Sequence, residues 1–345
     1  MRIGVVGIDN GYSNLKLAYG DSRMPRTAVL PAGVGPLESL AQEVVPGPGD
    51  VPDHGEIVNI GDKQFVACVP HVVLQSRRDT SPEFPLSDLY LALYRAALVK
   101  TGATEIGHVV TGVPTHQIKD TRICQALKAR LKGSHPIRAD KIITVGDVSI
   151  VPQPIGGYVD ACFQLPLEED RNIARTGRVM MIDPGFFSTD WSLIDGARFL
   201  SNSSGSNNSA MLKVMQMVAS QIDHDHGDRV KVERIEQALR DGRQTVLFHG
   251  EYLDFSGYLD NALADVNKDT AADILNSKEL DSEQIDLVVL VGGGAEHFRA
   301  VATRTFPGVR VVMPPSPVTA NARGFWYLQR ARVLARDADA YGAIE

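Results

Sequence analysis

Cysteine is scarce, basic charge is in deficit and long apolar runs are missing. The three cysteines, Cys68, Cys124 and Cys162, are far apart and odd in number. None sits in a CxxC or CxxH spacing, which argues against a disulfide framework or a zinc module and suits a reducing cytoplasm. His224-Asp225-His226 lacks the remainder of a metal shell. Lys and Arg number 35 against 42 Asp and Glu, a formal charge of −7. Direct binding to duplex nucleic acid, which rests on basic side chains, is therefore not expected. The apolar stretch Ile3 to Ile8 is broken by two glycines and closes at Asp9. No later run approaches the ~18 residues of a membrane span, so neither an export signal nor a span is expected.

What is present is the composition of a folded globular chain, with 43% apolar and 22% charged residues over 345 positions. That length suits about two domains. Ile3 to Ile8 reads as a strand, Asp9-Asn10-Gly11 as a turn, and the alternation Leu15, Leu17, Tyr19 as a returning strand. Pro31 to Pro52 is rich in proline and glycine and reads as a mobile excursion. Leu86, Leu89, Tyr90, Leu93, Tyr94 and Ala97 follow the template of an amphipathic helix over 85–100. A strand ending at Val113, a helix around 119–131 and a hairpin over 142–151 turning at Gly146-Asp147 come next, so the class is α/β.

At Val179-Met180-Met181-Ile182-Asp183-Pro184-Gly185 the opening pattern returns, again followed by a strand, Thr189 to Ile194. Asp9 and Asp183 hold the same place in two strand, Asp-x-Gly turn, strand units, which indicates a duplication. Beyond it lie a polar loop over 201–209, a helix over 210–222 and further helices that together look like an insertion over roughly 203–285. A strand over 287–291, a helix over 296–305, a strand over 309–313 and a helix from about 318 to 335 complete the chain.

The turns carry candidate chemistry. Gly11, Tyr12, Ser13, Asn14 and Lys16 would form an anion nest and a point charge suited to phosphates, and Asp9 would hold Mg²⁺ mostly through water. Gly185, Ser188, Thr189 and Asp183 repeat that equipment, although each turn alone is also ordinary turn chemistry. Gly292-Gly293-Gly294, followed by Ala295, would let backbone approach a flat ring or a phosphate, or would merely permit tight strand-to-helix packing. It lacks the GxGxxG spacing of a dinucleotide fold. Gln153, in Pro152-Gln153-Pro154-Ile155-Gly156-Gly157, could orient water for phosphoryl transfer or be a plain loop amide.

Taken together, these motifs and the late Ala320-Asn321-Ala322-Arg323-Gly324 resemble the ATPase domain of the actin superfamily over essentially the whole chain. Pro152 to Gly157, Leu290 to Glu296 and Asn321 to Gly324 look most like its ParM/StbA group, which includes plasmid-segregation filaments. The resemblance implies an actin-like ATPase fold, two duplicated α/β domains around a cleft for ATP or ADP with Mg²⁺. Domain I would comprise 1–154 plus 319–345, with a small variable subdomain at about 31–80, and domain II 155–318. It also implies catalytic or metal-linked roles for Asp9, Asp183 and Gln153, an adenosine loop at Gly292 to Ala295 and a nucleotide contact near Gly205. Partners would be further copies in a head-to-tail filament and a DNA-binding adaptor. Two departures stand out: Tyr12 replaces a small residue, and Pro184-Gly185-Phe186-Phe187 replaces a glycine-rich run. A sugar- or acetate-kinase-like phosphotransferase and a nucleotide-binding scaffold with weak hydrolysis are the alternatives.

Overall fold

The computed structural model describes residues 1–41, 55–115, 117–277 and 285–342, with backbone alone over 333–342. Its first sheet starts from β1 (Arg2–Asn10), whose Val5, Val6 and Ile8 are fully buried. β1 turns back into β2 (Asn14–Tyr19), and β3 (Arg26–Pro31) continues the meander. A small sheet of β4 (Gly33–Pro36), β5 (Glu56–Ile60) and β6 (Lys63–Val69) follows, in the order β4-β6-β5. Part of the expected mobile excursion is therefore strand, while residues 42–52 of it lie outside the described residues.

The amphipathic segment forms α1 (Asp88–Lys100), capped by the Ser87 hydroxyl and starting after a short 3-10 turn, slightly later than expected. β7 (Glu105–Val113) lies parallel to β1, and α2 (Thr121–Leu131) is capped by Asp120. β8 (Gly133–Arg138) and β9 (Lys141–Pro152) complete a six-stranded sheet, β3-β2-β1-β7-β9-β8. The expected turn at Gly146-Asp147 does not exist, because β9 runs straight through it and pairs with β8 instead. Gly146 serves close approach, since a Cβ there would sit 2.6 Å from the Gly107 carbonyl oxygen.

α3 (Gln153–Gln164) and α4 (Glu168–Thr176) lead into the second sheet. It contains β10 (Arg178–Pro184), β11 (Thr189–Asp195) and β12 (Arg198–Asn207), again an antiparallel meander. The expected polar loop over 201–209 is mostly β12, recruited by pairing along β11. α5 (Met211–His226), α6 (Val232–Arg240), the hairpin β13 (Thr245–Phe248) and β14 (Glu251–Asp254), and α7 (Ser256–Leu275) share a separate apolar cluster. β15 (Leu287–Leu290), α8 (Ala295–Thr305), β16 (Arg310–Val312) and α9 (Ala320–Gly342) finish the chain, with sheet order β12-β11-β10-β15-β16. The order β3-β2-β1-β7-β9 of the first sheet is thus repeated strand for strand, and both run the two added strands parallel to the first. The fold is a duplicated α/β pair around a cleft.

α3 and α9 cross in backbone contact. A Cβ on Gly324 would lie 1.7 Å from the Gly156 carbonyl oxygen, and one on Gly156 would lie 2.6 Å from that of Asn321. Beside the crossing, Arg323 donates from Nε and Nη2 to the two oxygens of fully buried Asp160 at 2.8 and 2.6 Å. Gly324→Ala is expected to cost about 3 kcal/mol in urea unfolding, because neither backbone can retreat. The control Gly257→Ala, on α7 with nothing within 4 Å of the new methyl, should be neutral or slightly stabilising.

Candidate functional site

The two matched hairpins, β1–β2 and β10–β11, bring their carboxylates into one cleft. Asp9 pairs across its hairpin with Lys16, and Asp183 pairs with Asp190. The cleft is lined from the first half by Asp9, Asn10, Gly11, Tyr12, Ser13, Asn14, Lys16 and Gln153. From the second come Asp183, Gly185, Ser188, Gly292, Gly293 and Gly294, with Glu236 and Arg240 of α6.

Asp9 is 2% exposed, and both its oxygens are engaged: Lys16 Nζ lies 3.1 Å from Oδ2, and Gln153 Nε2 donates to Oδ1 at 3.1 Å. Gln153 reaches it because Pro152 caps α3 and leaves Gln153 as the first helical residue, at the end of β9. Asp183 receives a bond from Asn321 Nδ2 at 2.7 Å. Burial, and then the charge of Asp9, push the Asp183 carboxyl from 3.8 up to about 7, against the Asn321 bond and Lys16. Asn321 and Asp183 each stood within a motif already read from the sequence, but nothing there paired one with the other.

Three expected site residues turn away from the cleft lining. Thr189 is buried and spends its hydroxyl on the Ser209 carbonyl at 2.8 Å. Gly205 lies under the Trp191 indole, where a Cβ would meet the ring at 2.5 Å. Ala295 is fully buried in the core that packs α8 on the second sheet. The glycine triplet divides similarly. Gly292 takes φ of 81° and presses on the Asp183 carboxylate, and Gly294 donates to the Pro184 carbonyl at 2.8 Å. Gly293 alone faces open space.

Tyr12 and the aromatic tip of the second hairpin, where the sequence departs from what the resemblance implies, meet each other. The Tyr12 ring lies 4.8 Å from that of Phe187 and 5.1 Å from that of Phe84. Burial raises the Tyr12 hydroxyl to about 12, so it stays neutral. Phe186 packs toward the α5–α7 cluster, and its carbonyl accepts from Leu212 N at 2.7 Å, tying the hairpin tip to the first turn of α5.

Whether these residues suit a magnesium nucleotide follows from the donor set. Among the described residues no three His, Cys, Asp or Glu side chains are grouped to hold a metal directly. Of the four carboxylates in the lining, Asp190 accepts from the Ser188 hydroxyl and Glu236 is held by Ser13 and Arg78, which leaves Asp9 and Asp183 and fits Mg²⁺ held through waters and phosphate oxygens. Lys16 supplies a cation, the hydroxyls of Ser13 and Ser188 stand at the tips, donating here to Glu236 and Asp190, and the apolar Met211, Met215 and Leu239 supply a wall. Sequence reading missed Glu236, Arg240, Gln117 and His297 of the lining. The i, i+4 spacing of Glu236 and Arg240 says they share a helix face, but nothing local says what that face meets.

Two family profiles match the chain: "Actin like proteins N terminal domain" over residues 7–156 and "Archaeal actin homologue MreB-like, C-terminal" over 181–301. Together they take in most of its length, and the chain belongs to the actin-like proteins. Comparison with curated proteins gives no match. Among solved structures, the archaeal actin homologue Ta0583 in complex with ADP is 16% identical with a TM-score of 0.73, covering 94% of this chain and 98% of its own. The actin-like protein Alp7A is 17% identical, TM-score 0.73, over 99% and 100%. A 15-stranded ParM filament from Clostridium botulinum is 17% identical, TM-score 0.73, over 95% and 99%. At these identities the likeness shows the actin-like fold.

The raised Asp183 has a consequence for stability. Its folded value near 7 exceeds its ordinary 3.8, so its contribution is fully present below about pH 4 and is lost as pH rises through 7. Asp183→Asn removes that loss. Urea midpoints in EDTA should show the variant gaining on wild type from pH 5 to about pH 7 and the gap levelling off above that; a constant gap would mean Asp183 is ionised throughout.

Proposed function

We propose that this chain is a nucleotide-dependent, self-assembling actin-like ATPase. The observation that carries the reading is the pair Asp9 and Asp183, one from each duplicated hairpin, buried together in one cleft with Gln153 bonded to Asp9. The structure of Ta0583 with ADP and the ParM filament support it as fold relatives. Residues 1–154 with 319–345 would act as one lobe, carrying a small subdomain at about 31–80, and 155–318 as the other, with its helical insertion at about 203–285.

In this reading ATP enters with Mg²⁺, which supplies charge neutralisation on the phosphates. Asp9 and Asp183 hold the cation through water, and Lys16 offsets phosphate charge. The tips at Gly11 to Asn14 and Gly185 to Ser188 grip the phosphates from both sides, and Gly293 leaves room for the adenosine. Gln153 orients the water that attacks the terminal phosphorus as the bond to the ADP oxygen breaks. ATP draws the lobes together, subunits stack head to tail, and hydrolysis loosens them. Within the family we favour the ParM/StbA type, working in the cytoplasm, with any DNA cargo reached through an adaptor. Among the described residues no helix is long and apolar enough to cross a membrane. Pro184 and the aromatic tip favour one second reading, a nucleotide-binding scaffold with weak turnover.

Light scattering and phosphate release, followed together after Mg-ATP is added with ADP as control, test this. A scattering rise that decays as phosphate appears is the expected result. Scattering without phosphate would select the scaffold, and phosphate release only with an added small substrate would select a kinase-like enzyme. Gln153→Ala should slow release by about 10²-fold while sparing nucleotide binding. Asp183→Ala should abolish Mg²⁺-dependent binding or turnover, and survival of both would remove the cleft from the mechanism.

A further inference from the structure

The cleft mouth is bridged by a buried charged cluster that the nucleotide reading does not use. Glu236, on α6 of the second half, is 8% exposed. One of its oxygens accepts from Ser13 Oγ at 2.6 Å, and the other pairs with Arg78, which follows the small sheet of the first half. Arg240, one turn along α6, donates to the Ser13 carbonyl at 3.1 Å and also to the Asn14 side-chain oxygen. It stands 3.5 Å from Glu236. The Arg78 guanidinium lies 4.1 Å over the Phe186 ring, on the tip of the second hairpin. His71, whose Nε2 lies 3.1 Å from the Tyr12 carbonyl oxygen, is held neutral, with a value lowered to about 3 by burial and by Arg78.

The residues that the nucleotide reading assigns to phosphate, Ser13 and Asn14, are thus bound by the opposite half. A carboxylate this deeply buried is stable only while its cationic partner and hydroxyl donor stay in place, and removing one partner strands the other. The alternative to Glu236 closed onto Ser13 and Arg78 that strands no charge is therefore Glu236 open to water with the halves apart. An arrangement with two discrete states of that kind is what lets one site govern another.

We propose that Glu236 is a cross-cleft clasp which, through Arg78 and Ser13, holds the mouth shut and sets the rate at which nucleotide is exchanged. It acts as a positioning residue, with Arg240 as its companion on the first hairpin tip. The consequence for exchange rests on the nucleotide reading above, whereas the hold on the hairpin tip does not.

The test uses the full chain and three variants, Glu236→Gln, Arg78→Gln and the two combined. Stopped-flow release of a fluorescent N-methylanthraniloyl-ADP is the first readout, and hydrogen exchange of the amides over 11–14 without nucleotide is the second. Each single change should speed release by about tenfold or more, and the double variant should release no faster than either single. The tip amides should exchange faster in all three. Arg78→Lys, which keeps the charge, should stay within a few fold of wild type. Unchanged tip exchange in Glu236→Gln overturns the clasp. Fully additive effects of the two changes overturn the Arg78–Glu236 coupling. Should wild type bind no fluorescent ADP, the nucleotide reading falls, and tip exchange alone still decides the clasp. A variant that loses its cooperative melt is replaced by Arg78→Lys combined with Glu236→Asp, a shortened pair that must loosen the tip for the proposal to stand.

Discussion

The contact of α3 with α9 is the constraint on which the rest of the molecule hangs. Two helices can lie this close only where no side chain intervenes, and Gly156 and Gly324 supply that gap. The bidentate Arg323–Asp160 pair then fixes their relative rotation in a place water does not reach. Burial still pushes Asp160 up to about 6, so the guanidinium offsets only part of the desolvation. From this crossing α3 presents Gln153 to Asp9, and α9 presents Asn321 to Asp183. One packing event thus sets the partner of each cleft carboxylate.

Duplication supplied two like hairpins, but their charges have diverged. Asp9 is balanced by an ammonium and an amide, while Asp183 has an amide alone and sits under Gly292. Two carboxylates taken out of water near each other cannot both be ionised cheaply, and the less supported one retains its proton to higher pH. The cleft therefore carries a built-in appetite for positive charge on the Asp183 side. Polarity between the halves arises from unequal neighbours rather than from unequal folds.

Much of this was legible locally. Strand–turn–strand alternation locates both hairpins, the 3.6-residue period locates α1, and the repeated Asp-x-Gly sets Asp9 and Asp183 at matching places in their hairpins. Failures came where a residue served a distant neighbour. Gly146 looks like a turn and is a spacer against Gly107; the serine-rich stretch looks like a loop and is the strand β12, with Gly205 making room for Trp191. Thr189 has the right hydroxyl, but its pairing with Asn207 of β12 brings the Ser209 carbonyl beside it, and the hydroxyl donates there. Glu236 is 223 residues from Ser13, and no period or motif connects positions so far apart.

Tyr12 and Phe187 have a consequence for how such a sequence can change. The two rings pack against each other at the mouth, in a tilted pair worth about 0.5–1.5 kcal/mol beyond its buried area. Replacing one of the two alone by a small residue exposes a large apolar face on the other. The two departures thus form an epistatic couple, each raising the penalty for losing its partner. A sequence that carries both is held there as by a ratchet, and grafting a glycine-rich tip onto this chain requires rewriting both hairpins in a single step.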